Sequence, residues 1–147
     1  MKKGKASQEP NYETSLFKRT DVIELTDDDF DLSNPAKPLL KLWQPGLIMF
    51  YSAGCPHCID KKEAYTKLGK ALNRYPGYQI YAVPTMDPNT NKISRALSVF
   101  FIPAFFEADH LGQINKLENP DFQFDYKNAM NRAKLKNREY EEMFDNY

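Results

Sequence analysis

The stretch GLIMFYSAGCPHCI, from Gly46 to Ile59, changes character twice. Its first part, Gly46 to Ala53, is a continuous apolar, β-prone run, which predicts a central strand buried on both faces. It then breaks at Gly54 into Cys55-Pro56-His57-Cys58, which holds the chain's only two cysteines. Beyond them Ile59, Tyr65, Leu68, Leu72 and Tyr75 recur at three-to-four spacing with lysines between, until Pro76-Gly77 stops the pattern. That spacing predicts an amphipathic helix with the cysteine pair in its first turn.

Working outward, YQIYAV at 78–83 reads as a second buried strand. A strand, helix, strand unit requires a crossover, and crossovers are right-handed, so the strands at 47–52 and 78–83 should be parallel neighbours. Asp87-Pro88-Asn89 leads into a short helix within TNKISRALSV. IPAFFEA and QINKL flank Asp109-His110-Leu111-Gly112, which predicts a β-hairpin pairing antiparallel in the same sheet. Upstream, DVIELT reads as a short strand, and DDDFDL after it as a turn or short helix capped by Thr26 or Asp27. Pro35, Pro38 and Pro45 punctuate a connector with at most one helical turn around Leu39 to Trp43.

Residues 1–20 are polar and lack periodicity, and read as a mobile or loosely docked arm. The single domain then spans 21–147. It ends in a long charged helix, about 122–144, with Tyr126, Met130, Ala133, Tyr140 and Phe144 on one stripe. The fold class is α/β: a mixed sheet of four to five strands with helices on both faces. The cysteines sit at the carboxyl end of a central strand, where open α/β sheets bind ligands.

Composition narrows the function classes. The 147 residues hold 20 basic and 20 acidic side chains, so no global field recruits nucleic acid or an anionic membrane. The basic start lacks an apolar segment after it, and no apolar run is long enough to span a bilayer, so the expectation is a cytoplasmic protein. In a reducing compartment a close cysteine pair is more often catalytic or metal-binding than a staple. Structural zinc needs four ligands, and His57 lies between the cysteines while His110 falls in a hairpin turn, so no metal is expected. The acidic run at 27–29 reads as a solvated helix start.

The order of elements resembles the thioredoxin superfamily over roughly Asp21 to Leu117. Two separated marks carry the resemblance: the strand-to-helix Cys55-Pro56-His57-Cys58, and Ile102-Pro103 opening the later hairpin. The resemblance implies a thioredoxin fold, a cis Pro103 facing the cysteines, and thiol–disulfide exchange on protein cysteines with no prosthetic group. At a helix start the first cysteine meets free N–H groups and the positive end of the dipole, which makes Cys55 the nucleophile and Cys58 the more enclosed resolver. Pro56 suits a first helical position, and His57 can add a donor or positive charge beside Cys55.

A cis Pro103 would set the Ile102 backbone beside Cys55 for strand addition by an extended substrate, with Tyr51, Gly54 and Phe101 bordering the groove. The sequence departs from the family at Gly54, where a tryptophan is common. It departs again at Met49 and Val83, where a buried acid and its partner are expected. Pro56-His57 resembles the bacterial periplasmic disulfide oxidase and favours oxidase or isomerase chemistry, because a stabilised thiolate makes the disulfide easier to reduce. The expected partners are cysteine-containing proteins and a thiol or disulfide electron partner, with a monomer as the default. The rival expectation is a redox-inactive thioredoxin-like binding or assembly module. The Lys, Asn, Tyr, Phe and Ile bias fits an AT-rich genome, such as that of some large DNA viruses, which would allow a virion location.

Overall fold

A computed structural model describes residues 14–41, 44–75 and 77–145. Its central sheet has five strands: β1 (Ile23–Glu24), β4 (Gly46–Tyr51), β5 (Gln79–Pro84), β6 (Ala104–Ala108) and β7 (Ile114–Leu117). A two-stranded antiparallel ribbon, β2 (Phe30–Asp31) with β3 (Leu39–Leu40), lies outside it. The sheet order is β1-β5-β4-β6-β7. β1 and β4 run parallel to β5, while β6 pairs antiparallel with β4 and β7 with β6. The parallel neighbours and the hairpin are those the sequence predicts.

β4 is central, and all its residues are buried. A strand flanked on both edges and covered on both faces has no solvent side, which is why its sequence shows no alternation. The alternation appears instead as two cores. Leu47, Met49 and Tyr51 face one, together with Cys58, Tyr65 and Leu68 of α1 (Pro56–Leu72) and Ala129 and Ala133 of α3 (Tyr126–Asp145). Ile48 and Phe50 face the other, with Leu25, Phe30 and Ile93 of α2 (Asn91–Ala96). Helices therefore cover both faces of the sheet.

Polar ties set the position of α1. Asn73 caps its carboxyl end, accepts the Ile80 N–H at 2.7 Å and donates to the Asp21 and Ile80 carbonyls at 2.6 and 3.1 Å. Gly69 lets the helix approach the chain before β1, since a Cβ there would stand 2.9 Å from Val22 Cγ2 and 3.0 Å from its backbone nitrogen. The fully buried Tyr65 donates to the Tyr81 carbonyl at 2.6 Å, filling a lone pair in an apolar setting. Gly112 takes φ +82° in the hairpin turn.

Several expectations change. The polar arm was expected to extend to residue 20, but Phe17 is 1% exposed and packs edge-on against Tyr51 at 5.2 Å and against Tyr65 at 5.5 Å. Residues 1–13 lie outside the described residues. One aromatic in a polar stretch has no periodicity to reveal it, yet it fills a gap over the sheet. Ile59 and Tyr75, placed on the apolar stripe of α1, are 48% and 59% exposed: Ile59 sits in the first turn, where the stripe leaves the sheet, and Tyr75 lies beyond the helix end at Leu72. The long helix starts at Tyr126 rather than near 122, because Asp125 accepts the Asn128 N–H at 2.7 Å as its cap. Arg132 ties this helix to Glu107 of β6 through bonds of 2.5 and 2.7 Å. Leu39 and Leu40 form a strand rather than a helical turn, and Leu42, Trp43 and Pro76 lie outside the described residues.

Candidate active site

The crossover from β4 to α1 builds the site. Four residues, Ser52 to Cys55, turn the chain, and the Cys55 N–H donates to the Ser52 carbonyl at 3.1 Å. Cys55 is the N-cap of α1 with extended backbone, its carbonyl accepting the Ile59 N–H at 2.9 Å. Pro56 opens the helix, where a missing N–H costs nothing. Gly54 is exposed, and a Cβ there would meet only Ser52 Oγ at 4.0 Å, so this side of Cys55 stays open.

The two thiols are free, lie 3.0 Å apart and occupy unlike environments. Cys55 is half-buried, whereas Cys58 is fully buried in the core. The Cys55 thiol sits below its ordinary pKa, first because the Cys58 thiol donates to its thiolate. The backbone N–H groups of Cys58 and His57 and the Lys61 charge act in the same direction. Cys58 is pushed up to about 12, chiefly by burial and then by the neighbouring Cys55. One fold thus makes an accessible, acidified thiol and a buried, protonated one from two identical side chains.

The Ile102–Pro103 peptide bond is cis, and the Ile102 carbonyl lies 3.9 Å from Cys55 Sγ. This brings the hairpin opening against the helix start across 47 residues of sequence. His57 reaches Cys55 with its backbone N–H, while its exposed side chain lines an adjoining groove. Phe101 lines the same groove and is 86% exposed, beside Phe100 at 82%.

Tyr51 does not border the groove. It is fully buried, donates to Glu24 and accepts the Leu16 N–H at 3.0 Å. As the last residue of β4 it points into the core rather than toward the loop, because the strand's alternation continues to its end. Burial raises Glu24 above its usual carboxyl range, although Ser15 and Tyr51 both donate to it.

Met49 lies on the Cys58 side of the sheet, but Val83 belongs to the opposite core. The residue across from Met49 is Ala82, so both positions under Cys58 are apolar. The sequence reading missed Lys61 and the aromatic cluster of Phe105, Phe122 and Phe124. Lys61 follows Cys58 by three residues on a helix, a spacing that places it on the same side.

The asymmetry predicts alkylation behaviour. With iodoacetamide, one thiol should react near neutrality, and its rate should rise with pH around a midpoint below the ordinary 9.0, since only the thiolate attacks. Mass analysis should locate the label on Cys55 and find Cys58 unlabelled. Equal labelling of both would contradict the described environments.

Among the described residues no cluster of three or more His, Cys, Asp or Glu side chains could hold a metal ion, and no helix is long and apolar enough to cross a membrane. No protein-family model and no curated protein sequence matches the chain. Solved structures do match. The J-Trx1 fragment of ERdj5 superposes at a TM-score of 0.59 with 19% identity, covering 80% of this chain, which spans 52% of that one. The first thioredoxin domain of mouse protein disulfide-isomerase A4 gives the same TM-score with 16% identity, 80% of this chain and 76% of the domain being covered. The protein has a thioredoxin fold.

Proposed function

We propose that this thioredoxin-fold domain is a thiol–disulfide oxidoreductase acting on protein cysteines, with Cys55 as nucleophile and Cys58 as resolver. The observation that carries this reading is the asymmetry of the thiols: an accessible, acidified Cys55 3.0 Å from a buried Cys58 held in its protonated form. In the oxidising direction a substrate thiolate attacks Cys55 of the disulfide, and Cys58 leaves and takes a proton. A second substrate thiolate then attacks the substrate sulfur, its disulfide forms, and Cys55 leaves as a stabilised thiolate. Two electrons pass to the protein, which a thiol–disulfide partner must remove.

The direction is oxidation or isomerisation. A lowered Cys55 pKa favours the dithiol form, and Cys58, protonated at neutral pH, does not oppose it. The potential measured against glutathione should therefore lie above that of thioredoxin, about −270 mV. Wild-type protein should also speed refolding of a scrambled disulfide substrate, and Cys55→Ser should not. A potential at or below thioredoxin's would defeat the oxidase assignment; equal refolding by wild type and variant would defeat the enzyme.

A further inference from the structure

Beside the thiols lies a groove of about 490 Å³ between the first turns of α1, the loop before β6 and the connector from β7 to α3. Its apolar wall is an aromatic cluster of buried Phe105 and Phe122 and half-buried Phe124, with Phe105 stacked on Phe124 at 5.1 Å and tilted against Phe122 at 5.6 Å. Its ionisable lining is His57, Lys61, Lys116, Glu118 and Asp125. The two carboxylates are already engaged. Glu118 pairs with Lys116 at 3.3 Å, and Asp125 caps α3, accepting the Asn128 N–H and side-chain amide at 2.7 and 3.0 Å. Among the described residues Lys61 has no carboxylate partner, although it is half-buried and lines the groove. Its positive charge favours the thiolate form of both cysteines.

A half-buried cation left unpaired beside an apolar wall is matched by an anion carried on a chain that also has apolar surface to bury. We propose that Lys61 selects substrates: the preferred partner is an extended segment with a Glu or Asp within a few residues of its reactive cysteine. The carboxylate pairs with Lys61 while neighbouring apolar side chains cover the Phe101 and Phe124 side of the groove. This rests on the thiol-exchange reading of Cys55 and adds to it a substrate class and a specificity-determining residue.

The test is a competition in the Cys58→Ser background. Two peptides, identical but for Glu or Gln beside the cysteine, are each capped as a mixed disulfide with 2-mercaptoethanol and supplied in equal amounts. The Cys55 thiolate attacks the peptide sulfur, the Cys55–peptide bond forms, and the bond to 2-mercaptoethanol breaks. The electron pair leaves on 2-mercaptoethanol, which takes a proton from water. Adducts are counted by mass, and their ratio is divided by that found with a small neutral thiol, which removes the intrinsic effect of the Glu charge.

The Glu peptide should win by about fivefold at low salt, the preference shrinking as salt rises. Adding Lys61→Gln should bring the ratio to one, and adding Lys61→Arg should keep it. A ratio of one with Lys61 present, or a preference unchanged by Lys61→Gln, overturns the specificity while leaving thiol exchange standing. Absence of adduct with either peptide overturns thiol exchange, and the specificity falls with it.

Discussion

A Cys58→Ser protein is expected to accumulate a covalent adduct with oxidised substrate, whereas Cys55→Ser forms none and exchanges thiols only at the uncatalysed background. On the proposed mechanism, Cys58 of the wild type, 3.0 Å from Cys55, attacks the Cys55 sulfur, the Cys55–Cys58 bond forms, and the substrate leaves as a thiolate. A serine cannot form that bond, so release waits for an external thiol. The intramolecular advantage lost is on the order of 1000-fold or more, given the effective molarities of positioned groups.

The high pKa of Cys58 adds a second expectation for the wild type. The thiolate fraction of a group near 12 falls tenfold for each pH unit below it, so release should accelerate steadily from pH 7 to 9. Part of that elevation depends on the neighbouring Cys55 and disappears once Cys55 is in a mixed disulfide, while the larger contribution from burial stays. Stopped release followed by acid quench and mass analysis measures both effects. Adduct on Cys55→Ser, or rapid release from Cys58→Ser, would reverse the assignment of roles.

Replacing Phe17 by Ala should cost about 3–5 kcal/mol of stability, as for other large aromatic deletions in cores. Set against a typical total of 5–15 kcal/mol, this is a large fraction. Phe17 is 1% exposed and fills the space between Tyr51 and Tyr65, the second of which holds α1 to the sheet. The loss therefore weakens the scaffold under the cysteines rather than the thiols themselves. Phe100→Ala provides the contrast: at 82% exposure it should change stability by no more than about 0.5 kcal/mol. Urea unfolding of both variants measures the difference, and a Phe17→Ala cost below that of a surface change would remove this residue from the core.

The two phenylalanines also show what a one-dimensional pattern conveys. Phe100 and Phe101 stand in a denser apolar neighbourhood of sequence than Phe17, yet they face solvent and Phe17 does not. Likewise Ile59 follows the three-to-four spacing of α1 and is exposed, because spacing defines a stripe but not where that stripe leaves the sheet. Tyr51 beside the loop looked available to substrate; its hydroxyl instead serves Glu24 and Leu16 inside the protein.

What the sequence determined by itself was local. The apolar run from Gly46 made a doubly buried strand over 46–51, the proline after Cys55 opened a helix, and the short hairpin turn at 109–112 imposed antiparallel pairing. Right-handed crossover geometry then ordered the central strands, since few topologies connect such elements. Tertiary structure alone decided the rest: the inward turn of Tyr51 and Phe17, and the groove that joins Lys61 to Phe124. Those features depend on desolvation and on contacts between segments far apart in the chain. Neither is encoded in the spacing of neighbouring residues, so both appear only once the sheet has brought the segments together.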